Sequence, residues 1–153
     1  MSAQPLPSDY HDALTGLPNR RLLDDRLGQA LHLARRRDCG VALLLVDLSG
    51  FGRIDDEALR TLAQCLAGCV RKADTVARWG AAEFALLLTD VEGEADCRLV
   101  AERALASLGR DASIGISLYP ADAGDAEALA RNADAARTRA RQLGRRQYRF
   151  YGA

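Results

Sequence analysis

The sequence has no apolar run long enough to cross a bilayer. Its longest, Val41 to Val46, is strand-sized, whereas a spanning helix needs roughly 20 residues. The opening residues, Met1 to Asp9, are polar and carry Pro5 and Pro7, without the charged start and apolar stretch of a secretory signal. Neither charge is in excess. The 21 Lys and Arg balance the 21 Asp and Glu, so no overall field recruits nucleic acid. Neither nucleic acid nor membrane is therefore an expected partner. Cysteine is sparse: Cys39, Cys65, Cys69 and Cys97 form no CxxC pair. Cys65 and Cys69 stand one helical turn apart, but His11 and His32 are not placed to complete a metal set with them. The cysteines read as small core residues, and the expected compartment is a reducing cytoplasm.

What is present suits a single core. The 153 residues are 48% hydrophobic and 27% charged, as in an ordinary globular domain. Asn19 to Arg37 carries a helical stripe of Leu22, Leu23, Leu27, Ala30, Leu31 and Ala34. Val41 to Leu48 is apolar apart from Asp47 and ends in a turn, the pattern of a buried strand. Asp55 to Val70 repeats the helical spacing. Two short strands, Thr75 to Trp79 and Glu83 to Leu88, are joined at Gly80-Ala81-Ala82, a link short enough for an antiparallel hairpin. Cys97 to Leu108 marks a third helix, Ser113 to Tyr119 a strand, and Asp125 to Leu143 a last helix stopped by Gly144. Gln147 to Tyr151 suits an edge strand. This order predicts an α/β sandwich, a mixed sheet with helices packed against it. From Arg131 to Arg149 there are seven arginines and one acid, Asp134. They read either as a solvated helix face or as including one or two phosphate holders.

Five stretches, in order, carry a resemblance. Asp12-Ala13-Leu14-Thr15-Gly16-Leu17-Pro18-Asn19-Arg20 looks like the opening motif of the GGDEF family. Asp47-Leu48-Ser49-Gly50-Phe51 resembles that family's DLDxF. Arg78 through Phe84 resembles RxGGDEF, Ser113 through Ser117 resembles SIGVA, and Ala133-Asp134 through Arg145 resembles ADxALYxAKxxGR. The likeness covers Asp12 to about the end of the chain, with residues 1–11 as a polar leader. A stand-alone domain and a piece of a longer chain both fit. The resemblance implies a fold like nucleotide cyclase and polymerase palm domains. It also implies kinship with enzymes that condense two GTP into cyclic di-GMP across a dimer. In that chemistry a 3′-hydroxyl attacks an α-phosphate, and carboxylate-held metals offset the developing charge.

The departures fall where that chemistry needs side chains. The degenerate signature is Gly80-Ala81-Ala82-Glu83-Phe84. Ala82 replaces an acid of active members, and a methyl group ligates no metal. Ala81 replaces the second glycine and adds a Cβ where the family approaches nucleotide closely. Asp47 and Glu83 survive as weak metal candidates, with solvated turn residues as the preferred reading. Most of the segment that in the family reads like NDxxGHxxGDxxL is deleted, since Ile54-Asp55-Asp56-Glu57-Ala58-Leu59 runs straight into a helix. Asp55 is a poor stand-in for the guanine-reading asparagine, because it lacks the amide donor. Gly52 replaces a lysine. Arg141, at the last helix's lysine, and the retained Arg145 are residual phosphate-binding candidates. The expectation is a chain that is not an enzyme and requires no cofactor.

Arg71-Lys72-Ala73-Asp74 resembles the family's product-binding RxxD, at the usual distance before Gly80. The resemblance implies cyclic di-GMP as ligand. An arginine fork suits guanine O6 and N7, and an aspartate accepts from guanine N1–H and N2–H₂. Arg103 is the weaker companion. An Arg–Asp pair one turn apart is also commonly a surface ion pair of little energetic weight. Three readings follow: a cyclic di-GMP receptor or regulatory module, with a homodimer or a pathway protein as partner; a ligand-independent interaction or dimerisation domain; and a weak cyclase or GTP-binding regulator using Asp47, Glu83, Arg141 and Arg145. Thr15, Asn19 and Arg20 read as anchors of the first long helix. Trp79, Phe84 and Phe51 read as packing residues.

Overall fold

The computed structural model describes residues 7–109, 111–144 and 146–152. Arg145, and the side chain of Phe51, fall outside the described residues. In chain order the elements are α1 (Pro7–Tyr10), α2 (Arg20–Arg37), β1 (Gly40–Asp47), a 3₁₀ turn (Ser49–Phe51), α3 (Asp56–Ala67), β2 (Thr75–Gly80), β3 (Glu83–Val91), α4 (Glu94–Leu108), β4 (Ser113–Tyr119), α5 (Ala126–Gln142) and β5 (Gln147–Phe150). No helix among them is long and apolar enough to cross a membrane.

The expected mixed sheet is present, in the order β2-β3-β1-β4-β5. β1 is central and antiparallel to both neighbours, and β5 joins β4 in parallel at one edge. Because side chains alternate along a strand, β1 feeds two cores. Ala42, Leu44 and Val46 meet the layer of α3 and α4, while Val41, Leu43 and Leu45 meet α2 and α5. That double burial explains the unbroken apolar run in its sequence. Asp47 continues the second set and therefore faces the α2–α5 layer.

The helices start on side-chain caps. Asn19 accepts from the Leu22 amide at 3.0 Å, Asp55 from Ala58 at 2.8 Å and Asp125 from Ala128 at 2.8 Å. Arg35, Arg36 and Arg37 close α2 against its negative end. Several boundaries differ from the sequence reading: β3 runs on to Val91, α4 begins at Glu94 rather than Cys97, and two others fall at glycines. α3 stops at Ala67 because Gly68 caps it, so Cys69 and Val70 already belong to the turn before β2. β2 runs on to Gly80, which pairs with Glu83, so the hairpin loop is Ala81-Ala82 alone. Cys69 and Cys97 are buried as expected, whereas Cys39 and Cys65 are only half-buried.

Candidate functional site

Two clusters of motif residues sit near opposite ends of β3. At its start, Glu83 lies in register with Asp47, the last residue of β1. Cross-strand carboxylates at that spacing repel one another unless a cation intervenes. The cation comes from α5. Arg137 Nη1 donates to Asp47 Oδ2 at 2.6 Å and lies 3.3 Å from Glu83 Oε2, while its Nη2 reaches Asp134 Oδ1 at 2.6 Å. Arg141 Nη1 adds a longer contact to Asp47 Oδ2 at 3.5 Å. Asp47 Oδ1 accepts from the Ser49 amide at 2.8 Å. The Asp47 side chain is 2% exposed and that of Arg137 only 16%. Burial works to raise the Asp47 carboxyl, but the bonds from Ser49 and the guanidinium groups of Arg137 and Arg141 hold it below the usual aspartate range. Burial works against the Arg137 charge, and its bond to Asp134, with Glu83 and Asp47 beside it, outweighs that and keeps it protonated.

The sequence lets α5 come this close. A Cβ on Gly115 of β4 would run into the Arg137 backbone nitrogen and the Ala133 carbonyl oxygen. The glycine of the SIGVA-like strand is thus the floor on which this turn of α5 rests.

These residues do not fit the metal pair that the family's chemistry uses. The third residue of the signature, an acid in active members, is Ala82, which packs against the core below. Both remaining carboxylates are bridged by a guanidinium. Among the described residues no group of three or more His, Cys, Asp or Glu is placed to hold a metal ion. Asp55, the stand-in for a base-reading asparagine, is the N-cap of α3. The preferred sequence reading of Asp47 and Glu83 as solvated turn residues needs correction for both: Asp47 ends β1, buried and fixed by three polar partners, and Glu83 opens β3, half-buried beside Arg137.

The Ala81-Ala82 turn is held from below by Arg78. Its Nε donates to the Gly80 carbonyl at 2.8 Å, its Nη2 to the Ala81 carbonyl at 2.6 Å and its Nη1 to Asp12 Oδ2 at 3.0 Å. Asp12 also accepts from Thr15, so the opening motif and the signature hairpin form one bonded unit. Arg20 lies 3.9 Å over the Trp79 ring, and Phe84 is fully buried.

Near the other end of β3 stands the RxxD turn. Asp74 Oδ2 accepts from the Arg71 amide at 3.0 Å and from Arg71 Nε at 3.4 Å. Its Oδ1 accepts from the Thr89 amide at 3.1 Å, and Arg71 Nη2 donates to the Thr89 carbonyl oxygen. Asp74 is 2% exposed and Arg71 62%. Any guanine donor would therefore compete with protein donors for Asp74, while the Arg71 side chain, bonded through Nε and Nη2, is still largely exposed. Arg103 donates from α4 to the Cys69 carbonyl at 3.3 Å, which brings it to the same turn. Beside the turn a groove of about 500 Å³ runs between α2 and the β2–β3 edge, with Arg26, Arg37 and Lys72 on its walls.

Arg71, Asp74 and Arg103 are thus brought together at one place, and Asp47, Glu83 and Arg141 at another. Motif reasoning missed Arg137, and it placed Arg78 in the RxGGDEF-like stretch without giving it a role. Arg137 had one signal: the ADxALYxAKxxGR pattern carries leucine at that position.

The family described as "Diguanylate cyclase, GGDEF domain" matches residues 9–147. The bifunctional diguanylate cyclase/cyclic di-GMP phosphodiesterase MucR of Pseudomonas aeruginosa is 39% identical over 92% of this chain, which spans only 23% of MucR. The chain spans well under half the length of the curated relatives it matches. The solved GGDEF domain of TpbB from Pseudomonas aeruginosa superposes with a TM-score of 0.84 at 31% identity, covering 93% of this chain and 94% of that one. A complex described as a novel interaction mode between a microbial GGDEF domain and bis-(3,5)-cyclic di-GMP superposes with a TM-score of 0.79 at 25% identity, covering 94% and 97%.

Proposed function

The chain belongs to the GGDEF family, and from that membership we propose that it is a non-cyclising member that binds cyclic di-GMP at its RxxD turn and acts as a receptor or regulatory module. The observation that carries this is the division of labour between Arg71 and Asp74. The buried aspartate fixes the turn and the strand beside it, and the arginine is left held yet exposed. With Nε and Nη2 engaged by Asp74 and Thr89, Arg71 meets guanine O6 or N7 through Nη1 or by releasing part of this fork. Arg103, anchored on Cys69, and the exposed Lys72 within the motif supply charge for the two phosphates. Loss of cyclase chemistry is supported by Ala82, by the missing base-reading segment and by the guanidinium between Asp47 and Glu83.

Calorimetric titration of cyclic di-GMP into the wild type and Arg71→Ala tests the reading. Arg71→Ala weakens binding by about tenfold or more, the loss of a charge-assisted fork, with the melting temperature of the free protein nearly unchanged. No heat and no melting shift in the wild type at saturating ligand would refute the receptor. Incubation with GTP and Mg²⁺ or Mn²⁺ yields no cyclic product. One observation favours a second reading, a ligand-independent interaction domain: Arg71 and Asp74 are bonded to each other. Under that reading a partner co-purifies equally with wild type and Arg71→Ala.

A further inference from the structure

We propose that Arg137 is a tethered cation that has taken the place of a divalent ion between Asp47 and Glu83, so that this end of the domain is neutralised by its own chain and refuses Mg²⁺ and Mn²⁺. The inference is independent of the receptor reading, which concerns the other end of β3.

Electrostatics sets the requirement. Asp47 and Glu83 face one another in register, and Asp47 is buried. A carboxylate withdrawn from water needs positive charge within contact distance. In a GGDEF-like frame such charge comes from solution as a metal. Here one guanidinium reaches both carboxylates from a single nitrogen, Nη1, at 2.6 and 3.3 Å. Its remaining nitrogens are held by Asp134, Nε at 3.0 Å and Nη2 at 2.6 Å. Every nitrogen of the group is thus fixed, and the side chain has little freedom to withdraw.

Sequence and packing agree with a substituted rather than an incidental ion pair. The family pattern has leucine where Arg137 stands, and an aliphatic chain there brings no charge to the site. Gly115 lets the backbone of this residue approach β4 more closely than any side chain would allow. The acid lost at Ala82 fits the same change. A guanidinium carries one positive charge and a metal pair carries four, so a site that keeps one arginine is better balanced with fewer carboxylates. A divalent ion arriving at Asp47 would meet a fixed cation and, in Glu83, a carboxylate already engaged. Mg²⁺ also demands near-octahedral oxygen ligation, which Arg137 obstructs.

The test is Mn²⁺ titration followed by electron paramagnetic resonance on the wild type, Asp47→Asn, Arg137→Leu and Arg137→Leu/Asp47→Asn. The wild type takes up no Mn²⁺ that Asp47→Asn abolishes. Arg137→Leu binds one Mn²⁺ per chain with a gain of at least about tenfold in affinity, melts lower in chelator and recovers with Mn²⁺. The double variant shows neither uptake nor recovery. If Arg137→Leu is unfolded in chelator, folding on addition of Mn²⁺ supports the proposal. If it stays unfolded, Arg137→Gln, which keeps a polar but uncharged side chain, is measured in its place. Asp47-dependent uptake by the wild type overturns the proposal whatever the variants do. A folded Arg137 variant that takes up no ion overturns it as well.

Discussion

The molecule contains two Arg–Asp pairs near opposite ends of one strand, and they are built the opposite way round. Near the start of β3, Arg137 and Asp47 are both withdrawn from water, and the arginine is bonded on every side. At the far end only Asp74 is buried, and Arg71 stands 62% exposed. Burial of both partners produces a closed internal tie between α5, β1 and β3. Burial of the acid alone produces a rigid turn that presents an arginine. The same two residue types give a closed structural tie in one case and, in the function proposed above, a binding element in the other. What separates them is which partner the backbone conceals.

The largest effect should come from breaking the closed tie. Arg137→Ala leaves Asp47 buried without its main counter-charge, a loss of about 3 kcal/mol or more. A double-mutant cycle with Asp47→Ala isolates the pair: both single variants unfold more easily, and the double variant costs much less than their sum. Additive losses in chemical denaturation would show that the two residues are not coupled, and the contrast with the RxxD turn would fall.

Next in size is the turn. Asp74→Ala strips the Thr89 and Arg71 amides of their acceptor and should cost about 1–3 kcal/mol. Arg71→Ala should stay within about 0.5 kcal/mol, as for an exposed partner. Cyclic di-GMP binding should fall in both. Only Arg71→Ala separates recognition from folding, so it is the sharper probe. Equal destabilisation by the two would mean that Arg71 is part of the turn's framework rather than a presented group.

Most of the fold was legible in the sequence because the hydrophobic period changes cleanly from helix to strand. The unbroken run at Val41 to Val46 fits a strand between two helical layers. Two of the boundary errors lay at glycines. Gly68 ends α3 early, and Gly80 joins the ladder instead of the loop. Residues within motifs, such as Asp47, Glu83 and Arg71, were singled out because position within a recognisable frame supplies meaning that four letters alone do not. Arg137 was hidden among the arginines of α5. Arg131, Arg139 and Arg141 are exposed, as a solvated face predicts. Arg137 differs because it lies over Gly115, and no local pattern in α5 reports what the opposing strand lacks.

The smallest effect is on acid stability, and it tests the closed tie without removing any atom. The Asp47 carboxyl is held below its ordinary value in the folded chain, chiefly because its bonds to Ser49 and the charges of Arg137 and Arg141 overcome burial. A depressed carboxylate contributes stability that is fully present above the ordinary aspartate range. The contribution is lost as pH falls through the lower folded value. Asp12, which is also depressed by Thr15 and Arg78 against its own burial, adds to the same slope. The two are separated by comparison with Asp47→Asn. The stability gap between wild type and that variant should be constant at neutral pH, narrow as pH falls below the ordinary aspartate range, where the unfolded chain takes up the proton first, and level off once Asp47 is protonated in the folded chain as well. Protonation removes the charge but leaves an oxygen to accept from Ser49, so the loss is smaller than for deletion of Arg137. A gap that held level through the acid range would mean that the charge on Asp47 contributes nothing. Arg137 would then be a neutral packing contact rather than a counter-ion.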